Sequence, residues 1–151
     1  MEKLELKHLV PYLLAGVKVY DSYDDKVCEL VGVVNGHEEE VFIKSIAIRQ
    51  RRIDEIKPIL RPVSDLNEEC FKDGEPWNAC DEFEYGDDSQ DEVYKNASRD
   101  LEAIGKYNIV HDMQFQPFGV VEKLISWKFD VFGLIDKGLA IDVNTIDKKL
   151  Y

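Results

Sequence analysis

Residues 26–49 read KVCELVGVVNGHEEEVFIKSIAIR, two β-branched runs separated by Asn35-Gly36. Val and Ile pack well on a pleated sheet. Asn-Gly is the pair that most readily supplies the two positive-φ residues of a type I′ turn, whose twist suits a hairpin. The spacing therefore predicts a hairpin in which Val31 and Val33 alternate with Gly32 and Val34, and Val41 and Ile43 with Phe42 and Lys44. Residues 17–21 supply a further strand, so the region reads as an antiparallel meander. Glu38, Glu39 and Glu40 beside the turn are expected in solvent, where they discourage edge pairing.

On the N-terminal side, Leu4, Leu6, Leu9 and Val10 predict a short helix over residues 2–14, kinked or ended by Pro11. On the C-terminal side, Pro58 and Pro62 favour extended chain at Lys57 and Arg61. Ser64 offers an N-cap for a short helix from Asp65 to about Lys72, stopped by Gly74 and Pro76. Residues 73–90 show no sustained period and read as a long loop. Val93, Ala97, Leu101 and Ile104 share one face of a helix over 91–104, with Asp91 as N-cap and Gly105 as C′. Residues 106–118 read as extended. Residues 119–138 carry the strongest helical pattern: Glu122, Ser126 and Asp130 form a polar stripe opposite a wide apolar face, Gly133 offers a break, and Trp127 and Phe132 are expected near the core centre. Residues 139–146 read as extended. The expected fold is a single α+β domain over 1–151. It has a small antiparallel β-meander of three or four strands packed against two or three helices, with a long acidic loop at about 73–90.

The chain is 44% hydrophobic, enough for a core. Cys28, Cys70 and Cys80, an odd count with no CxxC pair, read as reduced thiols in a cytosol, a cytoplasmic location. No secretory leader and no membrane-spanning run is read. Cys28 belongs to a strand core. Cys70 and Cys80, with His8, His37 and His111 scattered, lack zinc-site spacing. Gly86 is sixth from Asp81, as in a calcium loop, but Phe83 and Tyr85 stand at ligand positions. Arg49, Arg51 and Arg52 read as an exposed strand end that balances nearby carboxylates. No glycine-rich phosphate loop occurs, so no cofactor or metal is expected.

The charge is the outstanding feature. The chain has 31 acids and 19 bases, a net of -12. Between Glu68 and Glu92 stand eleven acids and one base, Lys72, while the remainder is nearly neutral. Such local self-repulsion is a cost that a recognition role would explain. The candidate partner-binding residues are Glu68, Glu69, Trp77, Asp81, Glu82, Glu84, Tyr85, Asp87, Asp88 and Asp91. Their carboxylates, interleaved with aromatic rings, suit a basic, partly apolar protein surface. Direct nucleic-acid or membrane binding is not expected of so acidic a chain.

Three stretches, KHLVPYL (7–13), ILRPVSDL (59–66) and VEKLISWKFDVFGLIDKGLAIDVNT (121–145), resemble short phage and prophage proteins of the Bacteroidetes. The likeness covers both ends and the centre. It departs at LVPYLLAGVKV (9–19), and the acidic stretch is not part of the pattern. It implies phage origin and an intracellular host setting, and it carries over no catalytic residue. The expected function is a non-enzymatic phage accessory protein. In its sharpest form it inhibits a host nucleic-acid-guided defence, as an anti-CRISPR protein does, by binding a CRISPR effector nuclease or another nucleic-acid-binding defence protein. The alternative is an enzyme with an unrecognised site, such as a thiol-dependent hydrolase.

Overall fold

A computed structural model of the chain describes residues 2–72, 75–86 and 92–146. In chain order its elements are helix α1 (Leu6–Leu13) and strands β1 (Lys18–Asp21), β2 (Lys26–Asn35), β3 (Glu39–Lys44), β4 (Ile48–Arg52) and β5 (Ile56–Leu60). Strands β6 (Cys70–Lys72) and β7 (Glu75–Trp77), helices α2 (Ala79–Tyr85), α3 (Glu92–Tyr107) and α4 (Phe118–Ser126), and strand β8 (Ile141–Asp142) follow. The class is α+β with a strand meander, as expected. Residues 1–61 and 125–151 form one compact unit, and residues 62–124 a second.

In the first unit the sheet order is β4-β3-β2-β1-β5-β8. Neighbours are antiparallel except β5 and β8, which run parallel. The sheet has six strands where three or four were expected. Strands β4 and β5 lie four places apart in this order, yet only the 3-10 turn Ile53–Glu55 joins them. Four steps across a flat sheet span roughly 19 Å. Three linking residues reach at most about 14 Å. The sheet must therefore curl until β4 approaches β5.

Cross-strand register sorts the two faces. Leu30 faces Ile43, which faces Arg49, and Val33 faces Val41, which faces Arg51. Val19, Leu30, Val41 and Ile43 are buried. Arg51 shares this inner face and reaches back to β1. Its Nε stands 3.1 Å from Asp21 Oδ1 and its Nη2 3.1 Å from Asp24 Oδ2. Asp21 is fully buried, and the Tyr23 ring lies 4.7 Å from the guanidinium. Of the three arginines read as an exposed strand end, Arg51 is therefore a half-buried tie across the curl, while Arg49 and Arg52 are exposed.

The hairpin forms where expected, but its turn differs. Asn35 pairs with Glu39, leaving a three-residue connection, and Gly36 does not adopt the left-handed conformation of a type I′ turn. A bulge between Leu30 and Gly32 takes Val31 out of the ladder, so Val31 and Val33 do not share a face. Val31 is exposed.

Helix α1 spans a shorter range than expected, with Pro11 inside it. Leu6, Leu9 and Tyr12 form its buried face. The Tyr12 hydroxyl donates to the Phe129 carbonyl (2.5 Å) and accepts from the Val131 N–H (3.2 Å). The long helix expected over 119–138 stops at Ser126, because Lys128 takes a φ of 65° and Asp130 turns inward. The Asp130 carboxylate accepts from the N–H groups of Leu134 and Ile135, both at 2.8 Å. The centre of this core is thus Phe129, fully buried, whereas Trp127 is half-buried and Phe132 exposed. Arg61 donates its N–H to the Lys128 carbonyl and accepts from the Asp130 N–H, both at 2.8 Å. The chain leaves this unit after Arg61 and returns beside the same residue.

The second unit opens with a 3-10 turn, Val63–Asn67, in place of the helix expected from Asp65, and Pro62 rather than Ser64 stands at its N-cap. Strands β6 and β7 pair as a hairpin. Residues 75–86, expected within a loop, form β7 and α2. On α3, Ala97, Leu101 and Ile104 are buried as expected, but Val93 is exposed. Residues expected as extended include the 3-10 turn Val110–Phe115. Gly105 lies inside α3, and Asn108, at φ 52°, closes the helix with the Ile109 N–H on the Ile104 carbonyl (3.2 Å). Gly105 is needed for close approach: a Cβ there would stand 2.8 Å from Asn67 Nδ2 and 3.0 Å from the Val63 carbonyl oxygen.

Alanine improves most helix interiors by up to about 1 kcal/mol over glycine. Gly105→Ala should instead destabilise the protein by about 1–3 kcal/mol, the range for overpacking. A urea midpoint unchanged or raised would contradict the close packing. Arg51→Met should cost about 3 kcal/mol, because it strands the buried Asp21 carboxylate. The double variant Arg51→Met, Asp21→Leu should recover part of that loss in the same unfolding experiment.

Candidate functional site

The acidic stretch is organised by a short helix. Asn78 caps α2, its Oδ1 accepting from the Asp81 N–H at 3.1 Å. Asp81 and Glu82 occupy the first turn, where carboxylates favour the positive end of the helix dipole. Ala79, Cys80 and Phe83 form the buried face. At 100° per residue, Asp81 and Tyr85 point directly away from that face, and Glu82 and Glu84 flank them on opposite sides. The Phe83 ring stacks on Tyr94 of α3 at 5.7 Å, and Ser98 of α3 donates its hydroxyl to the Cys80 carbonyl (3.3 Å). The helix is thus pinned by its apolar side, with Asp81 and Tyr85 exposed and Glu82 and Glu84 half-buried.

Of the predicted residues, the structure brings Asp81, Glu82, Glu84 and Tyr85 together on α2. Trp77 is half-buried at the end of β7, and Glu68 and Glu69 are exposed ahead of β6. Asp87, Asp88 and Asp91 lie outside the described residues. Tyr85 is 74% exposed, and its hydrogen bond to the Glu84 carboxylate raises its pKa above the ordinary phenol value. Tyr94, which the sequence did not single out, supports the site from α3.

Charge follows the division into units. Residues 1–61 with 125–151 hold 15 acids and 14 bases, a net of -1, while residues 62–124 hold 16 acids and 5 bases, a net of -11. Among the described residues no group of three His, Cys, Asp or Glu side chains is placed to hold a metal ion. Burial pushes the Cys80 thiol up to about 12, with Glu102, Asp81 and Glu84 adding to the effect. Cys28 is also raised, chiefly by burial. A thiol nucleophile needs the opposite shift. No described helix is long and apolar enough to cross a membrane.

Gly86 ends α2 with its N–H on the Glu82 carbonyl at 2.9 Å, and a Cβ at this position would lie 2.3 Å from that carbonyl oxygen. Gly86→Ala should therefore loosen the last turn of α2. Amide exchange of Phe83–Gly86 should quicken while α3 amides hold their rates, and equal rates in the variant and parent would contradict the contact.

No family model, curated protein or solved structure matches this chain.

Proposed function

We propose that this protein is a non-enzymatic phage accessory factor that binds the basic, nucleic-acid-holding surface of a host defence protein through its acidic unit. A guide-RNA-dependent CRISPR effector nuclease is the partner class that fits best, which makes the protein an inhibitor of the anti-CRISPR type acting inside the bacterial host. The observation that carries this reading is the confinement of nearly all the excess charge to residues 62–124, with Asp81 exposed on the outer face of α2 and the half-buried Glu82 and Glu84 on either side of it. A groove that tracks a single nucleic-acid strand is lined with Lys and Arg and often with aromatic rings. Closely spaced carboxylates can neutralise the same cations and displace the same counterions as phosphates do. Tyr85 adds an exposed ring with a polar tip, a residue type favoured at protein interfaces. The resemblance of residues 7–13, 59–66 and 121–145 to phage and prophage proteins supports the setting. The raised thiols weigh against a cysteine hydrolase.

The test is a neutralised variant, Asp81→Asn, Glu82→Gln and Glu84→Gln together, assayed against RNA-loaded CRISPR effector nucleases over a range of salt concentrations. The parent should bind one of them in competition with its target nucleic acid. The variant should bind more weakly, with a shallower dependence on salt. Equal binding by parent and variant at every salt concentration would remove the acidic helix from recognition. Failure of the parent to bind any such effector would remove the partner class.

A further inference from the structure

We infer that His8 is a proton-operated latch on the first turn of α1, one wall of an open groove in the unit formed by residues 1–61 and 125–151. The groove measures about 1100 Å³, with Leu4, Ile53, Ile56 and Leu134 among its apolar lining and Lys7 and His8 at the α1 side. Glu5 is the N-cap of α1. Its N–H donates to Nδ1 of His8 at 3.1 Å, and the His8 N–H donates to the Glu5 carbonyl at 3.0 Å. Nδ1 is therefore an unprotonated acceptor, and the single ring proton resides on Nε2. The ring is held in place by edge contact with Phe132 at 5.7 Å. It thus does for the backbone what a Gln or Glu three residues into a helix commonly does, reaching back to satisfy the N-cap N–H.

Protonation reverses this contact. A hydrogen on Nδ1 would face the Glu5 N–H, donor against donor, and would put positive charge at the positive end of the helix dipole. The charged groups that face His8 are Lys7, Glu5, Lys137 and Glu2. The two carboxylates favour the imidazolium and the two ammonium groups oppose it. Burial of the ring opposes it most, with Lys7 next, so His8 is held below the ordinary histidine value. Because the folded value is depressed, the unfolded chain takes up the proton first as pH falls. The latch is fully closed above about pH 6.5, the unfolded histidine value, and its contribution is lost as pH falls through the folded value. Glu2, Lys3, Leu4, Glu5 and Lys7 line the groove beside His8, so the latch acts on the segment that forms this wall.

The experiment is a nitrogen-15 NMR titration of the full chain from pH 8 to pH 5, with the His8 ring and the Glu5 amide followed together. His8 should titrate below 6.5, and the Glu5 amide should shift with the same midpoint. Its exchange, corrected for intrinsic rate, should quicken roughly fivefold, the factor that corresponds to loss of a typical cap. In His8→Gln the side chain keeps the reach to the Glu5 N–H but cannot titrate, so the Glu5 amide should lose its pH-dependent shift. A His8 midpoint at or above the ordinary value overturns the inference without recourse to a variant. The same loosening of Glu5 in His8→Gln overturns it as well.

Discussion

The three residues Ile53–Glu55, which carry the chain from β4 to β5, impose the constraint on which the first unit depends. They connect strands at opposite ends of a five-strand run, and they are too short to cross a flat sheet. The curl that follows brings Arg51 of β4 to Asp21 of β1, two strands that are not neighbours in the sheet. β5 pairs with β1, and Arg61, just beyond β5, meets the returning segment through its hydrogen bonds with Lys128 and Asp130. Those two bonds allow the chain to leave for 63 residues and come back to the same place. The Tyr12 hydroxyl, held between Phe129 and Val131, then fastens α1 to that return.

Function on this account is a matter of where charge can be tolerated. The first unit has almost balanced charge and uses its ions internally, as Arg51 does with Asp21 and Asp24. The second holds the excess, and α2 shows how it is accommodated. Asp81 faces water with Glu82 and Glu84 half-buried on either side, the first-turn acids meet the helix dipole favourably, and the apolar side of the helix is anchored by Phe83 against Tyr94. Repulsion among the acids remains uncompensated in the free protein, and a basic partner would relieve it.

The strands around Asn35 were legible because β-branched runs and a turn pair agree, and the extended chain expected at Lys57 ahead of Pro58 falls within β5. The turn itself was misread because the bulge at Val31 and the pairing of Asn35 with Glu39 are tertiary choices that no dipeptide encodes. Phe129 was missed as the core centre because Asp130 appeared to continue a solvent stripe. In the folded protein Asp130 is buried and satisfied by the N–H groups of Leu134 and Ile135, which helical periodicity cannot anticipate. Gly105 looked like a helix end because its packing partners, Val63 and Asn67, lie about forty residues earlier. At the candidate site the acids were evident but their helix was not. Seven residues are too few for a period, though Asn78 followed by Asp81 and Glu82 was an available N-terminal signal.

The central claim is that residues 1–61 and 125–151 make a self-sufficient scaffold, with the proposed recognition surface carried by the acidic excursion between them. Excision tests it most directly. Residues 63–124 would be replaced by a short Gly/Ser bridge between Pro62 and Ile125, a loop closure whose entropic cost is small. Thermal unfolding would then be followed by near-ultraviolet circular dichroism and calorimetry. The account predicts one cooperative transition and retained tertiary signal. A chain that shows no cooperative transition, or no tertiary signal before heating, would contradict it.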